Sequence, residues 1–104
     1  MRRVRILDAA GVEAAEAAAW YERERPGLGV EFQSAVDAAL DLLEEEIVPL
    51  TALPGAAGKR GVKRLILKRF PYDVVVHEFG ADYVVVAFAH HSRRPGYWRS
   101  RLRG

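Results

Sequence analysis

Histidine, arginine and aromatic side chains are concentrated in one stretch near the end of the chain, at residues 90–99 (HHSRRPGYWR). An imidazole can act as a general acid or base in phosphoryl transfer, and a neighbouring guanidinium can stabilise the negative charge that develops. Aromatic rings can stack on nucleobases. A structural alternative also stays open, in which His90 caps the core and Tyr97 and Trp98 pack the tail onto the domain. For Trp98 we expect this anchoring role.

A second group of cations lies on residues 62–69, which we predict to form a strand. Because side chains alternate along a strand, Leu65 and Leu67 face one way and Arg64 and Lys68 face the other. If the leucines contact the core, the two cations share the opposite face, where they suit phosphate or carboxylate partners. An edge strand protected from aggregation by cations has the same composition. Both interpretations stay open.

Two helices are predicted ahead of this cationic segment. Residues 4–7 form a candidate strand, Asp8 is a good helix N-cap, and residues 9–24 are rich in alanine and glutamate, which favour a helix. Pro26 and Gly27 end that helix. The second helix is predicted from apolar residues that recur every three or four positions and is closed by Pro49; its apolar stripe consists of Leu28, Phe32, Val36, Leu40, Leu43 and Ile47.

The second half of the chain is predicted to form a sheet. Residues 50–61, rich in glycine and proline, indicate a loop, and three strands follow at residues 62–69, 72–79 and 83–89. Gly80-Ala81-Asp82 forms a tight turn, and the last two strands are apolar on both faces, which is typical of the middle of a sheet. This order predicts one two-layer α+β domain over residues 1–104, with a helix pair on one sheet face and the other face open for function.

Charge is divided unevenly between the two halves of the chain. Residues 1–52 contain 5 Lys and Arg against 11 Asp and Glu, whereas residues 53–104 contain 11 against 3, although the net charge is only +2. The C-terminal half therefore attracts polyanions, unless the charges merely follow the solvated faces of separate elements.

Several classes of site are missing from the sequence. The chain has no cysteine, which excludes disulfides and thiolate metal sites. It has no glycine-rich phosphate loop, no zinc-ligand spacing and no Ser/His/Asp pattern, so we expect neither a cofactor nor a metal. No apolar run is long enough to cross a membrane and no signal peptide is visible, so we expect a cytoplasmic protein without a membrane partner.

Three segments together resemble the RelE/ParE-type toxins of type II toxin–antitoxin systems. Residues 18–29 with Phe32 resemble their helical hairpin, residues 64–72 their first central strand and turn, and residues 84–90 with 93–98 their last strand and tail. The resemblance implies a RelE/ParE-like fold with an N-terminal strand, an α-helical hairpin and a three-stranded antiparallel sheet. It also implies a cognate antitoxin that wraps the protein. RelE-like members cleave mRNA in the ribosomal A site, and ParE-like members inhibit DNA gyrase, so two targets are implied.

Departures from the RelE pattern bear on the choice of target. RelE-like nucleases have two lysines on the first central strand, where this chain has Arg64 and Ile66. They have an arginine after the tyrosine of the next strand, where this chain has Asp73, of opposite charge. These departures favour a ParE-like protein that binds gyrase, with a ribosome-dependent endoribonuclease and a non-toxic binding module as alternatives.

The resemblance also indicates candidate site residues. Arg93 lies near a later functional arginine of the nucleases, His90 or His91 matches a histidine of the terminal strand, and Tyr97 matches a tail tyrosine. In a nuclease these four residues would be the catalytic ones. For binding a nucleic acid or a protein partner, we expect contributions from the cations Arg64, Lys68, Arg69, Arg94 and Arg99.

Overall fold

The computed structural model describes residues 2–46 and 50–102 and places five strands in one mixed sheet. The strands are β1 (Arg3–Ile6), β2 (Thr51–Ala52), β3 (Val62–Ile66), β4 (Tyr72–Phe79) and β5 (Asp82–His90). Their order across the sheet is β1-β5-β4-β3-β2, in which β1 runs parallel to β5 and the other neighbours are antiparallel. The helices are α1 (Asp8–Glu24), α2 (Leu28–Glu45) and α3 (Gly55–Lys59), and a 3-10 turn spans Arg99–Arg101. The predicted α+β class is confirmed.

The first layer of the core lies between the α1–α2 hairpin and one face of the sheet. Alanines on α1 let the two helices approach closely, and an added Cβ on Gly29 of α2 would lie 2.4 Å from the carbonyl oxygen of Ala18. The carboxylate of Glu22 accepts hydrogen bonds from the backbone N–H groups of Gly27 (2.8 Å) and Gly29 (3.0 Å). An acidic side chain of α1 therefore satisfies free donors at the N-terminus of α2.

The apolar stripe predicted on α2 faces the core. Phe32, Val36 and Leu43 are buried, and Phe32 contacts the rings of three other aromatic residues at centroid distances of 5.1 to 5.3 Å: Tyr21, Phe70 and Tyr72. The described part of α2 ends at Glu45, so Ile47 and Pro49 lie outside the described residues. The N-terminus of α1 differs from the prediction, because Asp8 is the first helical residue and Leu7 occupies the cap position.

The central strands β4 and β5 are buried on both faces, as predicted. Val74, Val76 and Val85 contact the helices, while Val75 and Val84 belong to a second core on the opposite face. The register between the strands shifts between Val75 and Val76. Because of this β-bulge, Val86 and Ala87 of β5 both contribute to the second core.

The prediction of a fully open second face is wrong. Ala57 of α3, together with Trp98 and Leu102 of the C-terminal tail, covers the apolar side chains of β3, β4 and β5 there. Trp98 is only 5% exposed, which confirms its predicted role as an anchor of the tail. The segment predicted as a plain loop, residues 50–61, contains β2 and α3, because Ala57 gains a buried site by forming a short helix over the sheet.

The predicted strand at residues 62–69 is too long. β3 ends at Ile66, and the chain then turns, with the backbone N–H of Leu67 bonded to the carbonyl of Tyr72. Lys68 and Arg69 are therefore exposed turn residues, and Arg64 is the only one of the proposed binding cations within β3. Burial of Leu67 and Phe70 on the helix side draws the backbone out of the strand at this point.

Candidate functional site

A cleft of about 320 Å³ remains on the second sheet face, between β3 and the C-terminal tail. Its apolar lining includes Val75, Ala89 and Trp98. Its polar and charged lining consists of Arg64, Asp73, His90, His91, Arg93 and Arg94. The fold therefore brings five of the nine candidate site residues, together with Asp73, to one concave surface, which we call the cleft.

Asp73 lies between the cationic groups of the cleft. One carboxylate oxygen, Oδ2, is 3.5 Å from Nη1 of Arg64, and the other, Oδ1, is 2.9 Å from Nε2 of His91. The Nε atom of Arg64 is buried and makes no hydrogen bond within the described part of the chain. Asp73 thus balances part of the positive charge and orients the His91 ring, as a carboxylate does for an imidazole that transfers protons.

His90 is held differently from His91. Its Nδ1 accepts a hydrogen bond from the backbone N–H of Ser92 at 3.0 Å, and the Ser92 hydroxyl lies 2.7 Å from the same nitrogen. Its ring meets the Tyr72 ring edge-on at 5.0 Å, on the helix side of the sheet. Of the two histidines, His91 is the one whose ring joins Arg64 through Asp73.

Tyr97 is turned away from the cleft. Its hydroxyl donates to Oε2 of Glu13 at 2.6 Å, and its side chain is absent from the residues that line the cleft. Burial and the hydrogen bond to Glu13 raise the pKa of Tyr97 well above its ordinary value. The guanidinium of Arg93 lies over the Tyr97 ring at 3.8 Å from its centroid. Tyr97 therefore supports a cleft cation instead of facing the cleft itself.

Glu13 is a site residue that the sequence analysis did not identify. Its carboxylate also accepts hydrogen bonds from Arg101, at 3.0 and 3.2 Å, and from the backbone N–H of Phe88 at 3.0 Å. One signal was present in the sequence, because Glu13 follows the buried Ala10 by three positions and precedes the buried Ala17 by four. That spacing places Glu13 beside the buried stripe of α1.

The remaining candidate cations lie outside the cleft. Arg69 donates to Glu31 on α2 at 2.6 Å, and this hydrogen bond lowers the pKa of Glu31. Arg99 begins the 3-10 turn of the tail. Arg64, Lys68 and Arg69 also line a second concavity of about 520 Å³ between α2 and β3, which we call the groove; its other lining residues are Ala35, Ala38, Ala39, Leu42, Thr51, Leu65, Ile66 and Leu67.

Neither a metal centre nor a membrane span is found in the described residues. Residues 2–46 and 50–102 contain no cluster of three or more histidine, aspartate or glutamate side chains arranged to hold a metal ion. None of the helices within these ranges is both long and apolar enough to cross a membrane.

Comparisons with known proteins show a likeness in structure. No protein-family model matches the sequence. No curated protein matches it either. A chain of a solved structure, described as the chromosomal ParDE TA system from P. aeruginosa, superposes with a TM-score of 0.72 over 86% of this chain and 96% of that chain, at 13% identity. The RelE/ParE-like fold is confirmed. At this identity the likeness concerns the RelE/ParE-like fold alone. It does not extend to the side chains that form the cleft and the groove.

Proposed function

We propose that the chain is the toxin component of a type II toxin–antitoxin system, that a cognate antitoxin neutralises it, and that it inhibits DNA gyrase in the cytoplasm as ParE-like toxins do. The observation that carries this proposal is the RelE/ParE-like fold, which the chain shares with a chain of a ParDE TA system over most of both lengths. The charges of the cleft and the groove support the choice of partner and target.

The groove supports an acidic antitoxin segment. Its lining contains three cations, Arg64, Lys68 and Arg69, and no carboxylate. Arg64 and Arg69 each contact a carboxylate outside that lining, so an acidic segment would compete with those contacts. Its apolar side chains include Leu42 and Ile66, which are 37% and 51% exposed. An amphipathic segment with acidic residues beside apolar ones would match both the charge and the apolar surface.

The position of Asp73 supports gyrase, a protein target, over RNA. Its carboxylate contacts both Arg64 and His91, the two groups that would otherwise bind a phosphodiester. A phosphodiester entering the cleft would have to displace this carboxylate or lie beside it, and like charges at that distance repel. A toxin that binds gyrase needs no such phosphate site.

A ribosome-dependent endoribonuclease is the second candidate, and one observation favours it. The 2.9 Å contact between Asp73 and His91 orients an imidazole in a cleft that also contains Arg64 and Arg93. An imidazole so held can exchange a proton with a ribose hydroxyl while the guanidinium groups stabilise negative charge.

Induced expression in bacterial cells tests these alternatives. We expect growth arrest with altered plasmid supercoiling and DNA breaks, while protein synthesis continues during the first minutes. Rapid loss of mRNA that is prevented by His91→Ala would contradict the gyrase proposal and support the nuclease function. Normal growth at verified expression would contradict both and leave a binding module that keeps the fold.

Charge reversal tests the proposed antitoxin surface. Arg64→Glu combined with Lys68→Glu should weaken antitoxin binding by about tenfold or more at low salt, because two attractive contacts become repulsive. The matched control is Arg23→Glu with Lys59→Glu, which changes the net charge equally at exposed positions outside the groove. Equal affinities of the two double variants would place the antitoxin on another surface.

A further inference from the structure

The carboxylate of Glu13 contacts the edge of β5 beyond the point where β1 ends. The pairing of β1 with β5 ends at Ile6, opposite Val85, and the backbone N–H of Leu7 still donates to the Val85 carbonyl at 3.0 Å. Further along β5, the backbone N–H of Phe88 donates to Oε1 of Glu13. A side chain of α1 therefore satisfies a donor that β1 no longer reaches.

The same carboxylate binds the C-terminal tail at two residues. The Tyr97 hydroxyl donates to Oε2, and both terminal nitrogens of Arg101 donate to the carboxylate. Nη1 of Arg101 also donates to the carbonyl of Val86, at the β-bulge, at 3.0 Å. The Glu13 side chain is 13% exposed, so these charged hydrogen bonds form largely out of water, where they are strong.

Tyr97 connects this carboxylate to the cleft. Its ring supports the guanidinium of Arg93 at 3.8 Å, a cation–π distance. Arg93 lines the cleft, whereas Tyr97 and Glu13 do not. An arginine side chain has many rotamers, and fixing its guanidinium before a ligand arrives reduces the entropy lost on binding.

We propose that Glu13 and Tyr97 are positioning residues, which hold Arg93 at the rim of the cleft so that its guanidinium can bind an oxyanion. Tyr97 then acts on a ligand through Arg93 and not by direct contact. This inference rests on the proposed function only in one respect, namely that Arg93 contacts an anionic group of the target, such as a carboxylate, at the rim of the cleft and apart from the Arg64–Asp73–His91 contacts.

Binding of tripolyphosphate, used as an oxyanion probe, tests the positioning role. Affinity is measured at low ionic strength by isothermal titration calorimetry, and the Nε–H signal of Arg93 is followed by NMR. Arg93→Ala should weaken binding about fivefold. Glu13→Gln and Tyr97→Phe should each weaken it about threefold, and neither should weaken it further in an Arg93→Ala background, because residues that act through one group are not additive.

The sign of the Glu13→Gln effect separates positioning from simple charge. If only charge mattered, removing a nearby carboxylate should tighten anion binding, because a repulsive negative charge is lost. The control Glu16→Gln removes an exposed carboxylate from the same helix and should tighten binding slightly. Tyr97→Phe keeps the ring and the net charge and loses a single hydrogen bond, so it remains informative if Glu13→Gln fails to fold.

Three results would overturn the proposal. The first is tighter binding by Glu13→Gln, as in the control. The second is equal weakening by Glu13→Gln with and without Arg93, which would indicate a general structural role. The third is unchanged binding in Arg93→Ala, which removes Arg93 from the ligand contacts. Each is distinguishable from failure of the proposed function, which the growth and supercoiling assays measure independently.

Discussion

Trp98 should contribute a large share of the stability of the domain, because it closes the second sheet face. Its side chain is 5% exposed and packs with the buried side chains of the second core. Truncation of a buried tryptophan to alanine costs about 3–5 kcal/mol. The total stability of a domain of this size is about 5–15 kcal/mol. We therefore expect Trp98→Ala to lower the unfolding midpoint by about 12 °C or more, at about 4–8 °C per kcal/mol.

The second tryptophan is a matched control. Trp20 is 50% exposed, and its one ring contact among the described residues is an edge-on contact with Tyr21 at 5.1 Å. Trp20→Ala should therefore cost only about 1 kcal/mol. Urea unfolding followed by circular dichroism measures both costs, and a Trp20→Phe protein isolates the fluorescence of Trp98, which should shift to the red on unfolding. Equal costs for the two alanine variants would refute the assignment of Trp98 to the core.

Two further predictions concern stability. Gly29→Ala should destabilise the α1–α2 hairpin by about 1–3 kcal/mol in thermal unfolding, since the new Cβ meets the Ala18 carbonyl. The control Gly11→Ala, in open space on α1, should instead stabilise the protein by up to about 1 kcal/mol. The second prediction concerns Glu78, whose pKa is lowered by the hydrogen bond from Lys63 and by the nearby Arg2. The ionised Glu78 side chain therefore stabilises the fold fully above about pH 4.3, the usual glutamate pKa. This stabilisation is lost as the pH falls through the lower pKa of the folded state. The melting temperature of Glu78→Gln should accordingly fall less between about pH 5 and pH 3 than that of the wild type, and parallel curves would contradict this.

The sequence predicted the elements whose burial follows a local period. The apolar stripe of α2 and the doubly apolar strands β4 and β5 are regular enough to indicate both the element and the faces it buries. Residues 50–61 are different, because their glycines and proline are typical of a loop and only contact with the sheet makes Ala57 helical and buried. For Trp98 the sequence likewise indicated an anchoring role, but it did not indicate that the side chain covers β4 and β5.

The sequence predicted which residue types form the candidate site, but not which residues they contact. The cations and histidines of the cleft stand out in the composition of the C-terminal half. Their partners come from distant positions, since the contact of His91 with Asp73 spans 18 residues and that of Tyr97 with Glu13 spans 84. No local pattern reports such contacts, and the acidic residue that binds the basic tail lies in the acidic half of the chain.

The parallel pairing of the first strand with the last has a consequence for how the chain is made. Arg3 lies opposite Asp82, so β1 has no partner strand until β5 has been synthesised. Contacts between such distant positions form slowly, because a long loop must close before they are gained. A nascent chain that has emerged only as far as the helical hairpin has made neither the cleft nor β3. Any activity of the cleft therefore begins only after β5 and the tail residues that line the cleft have been translated.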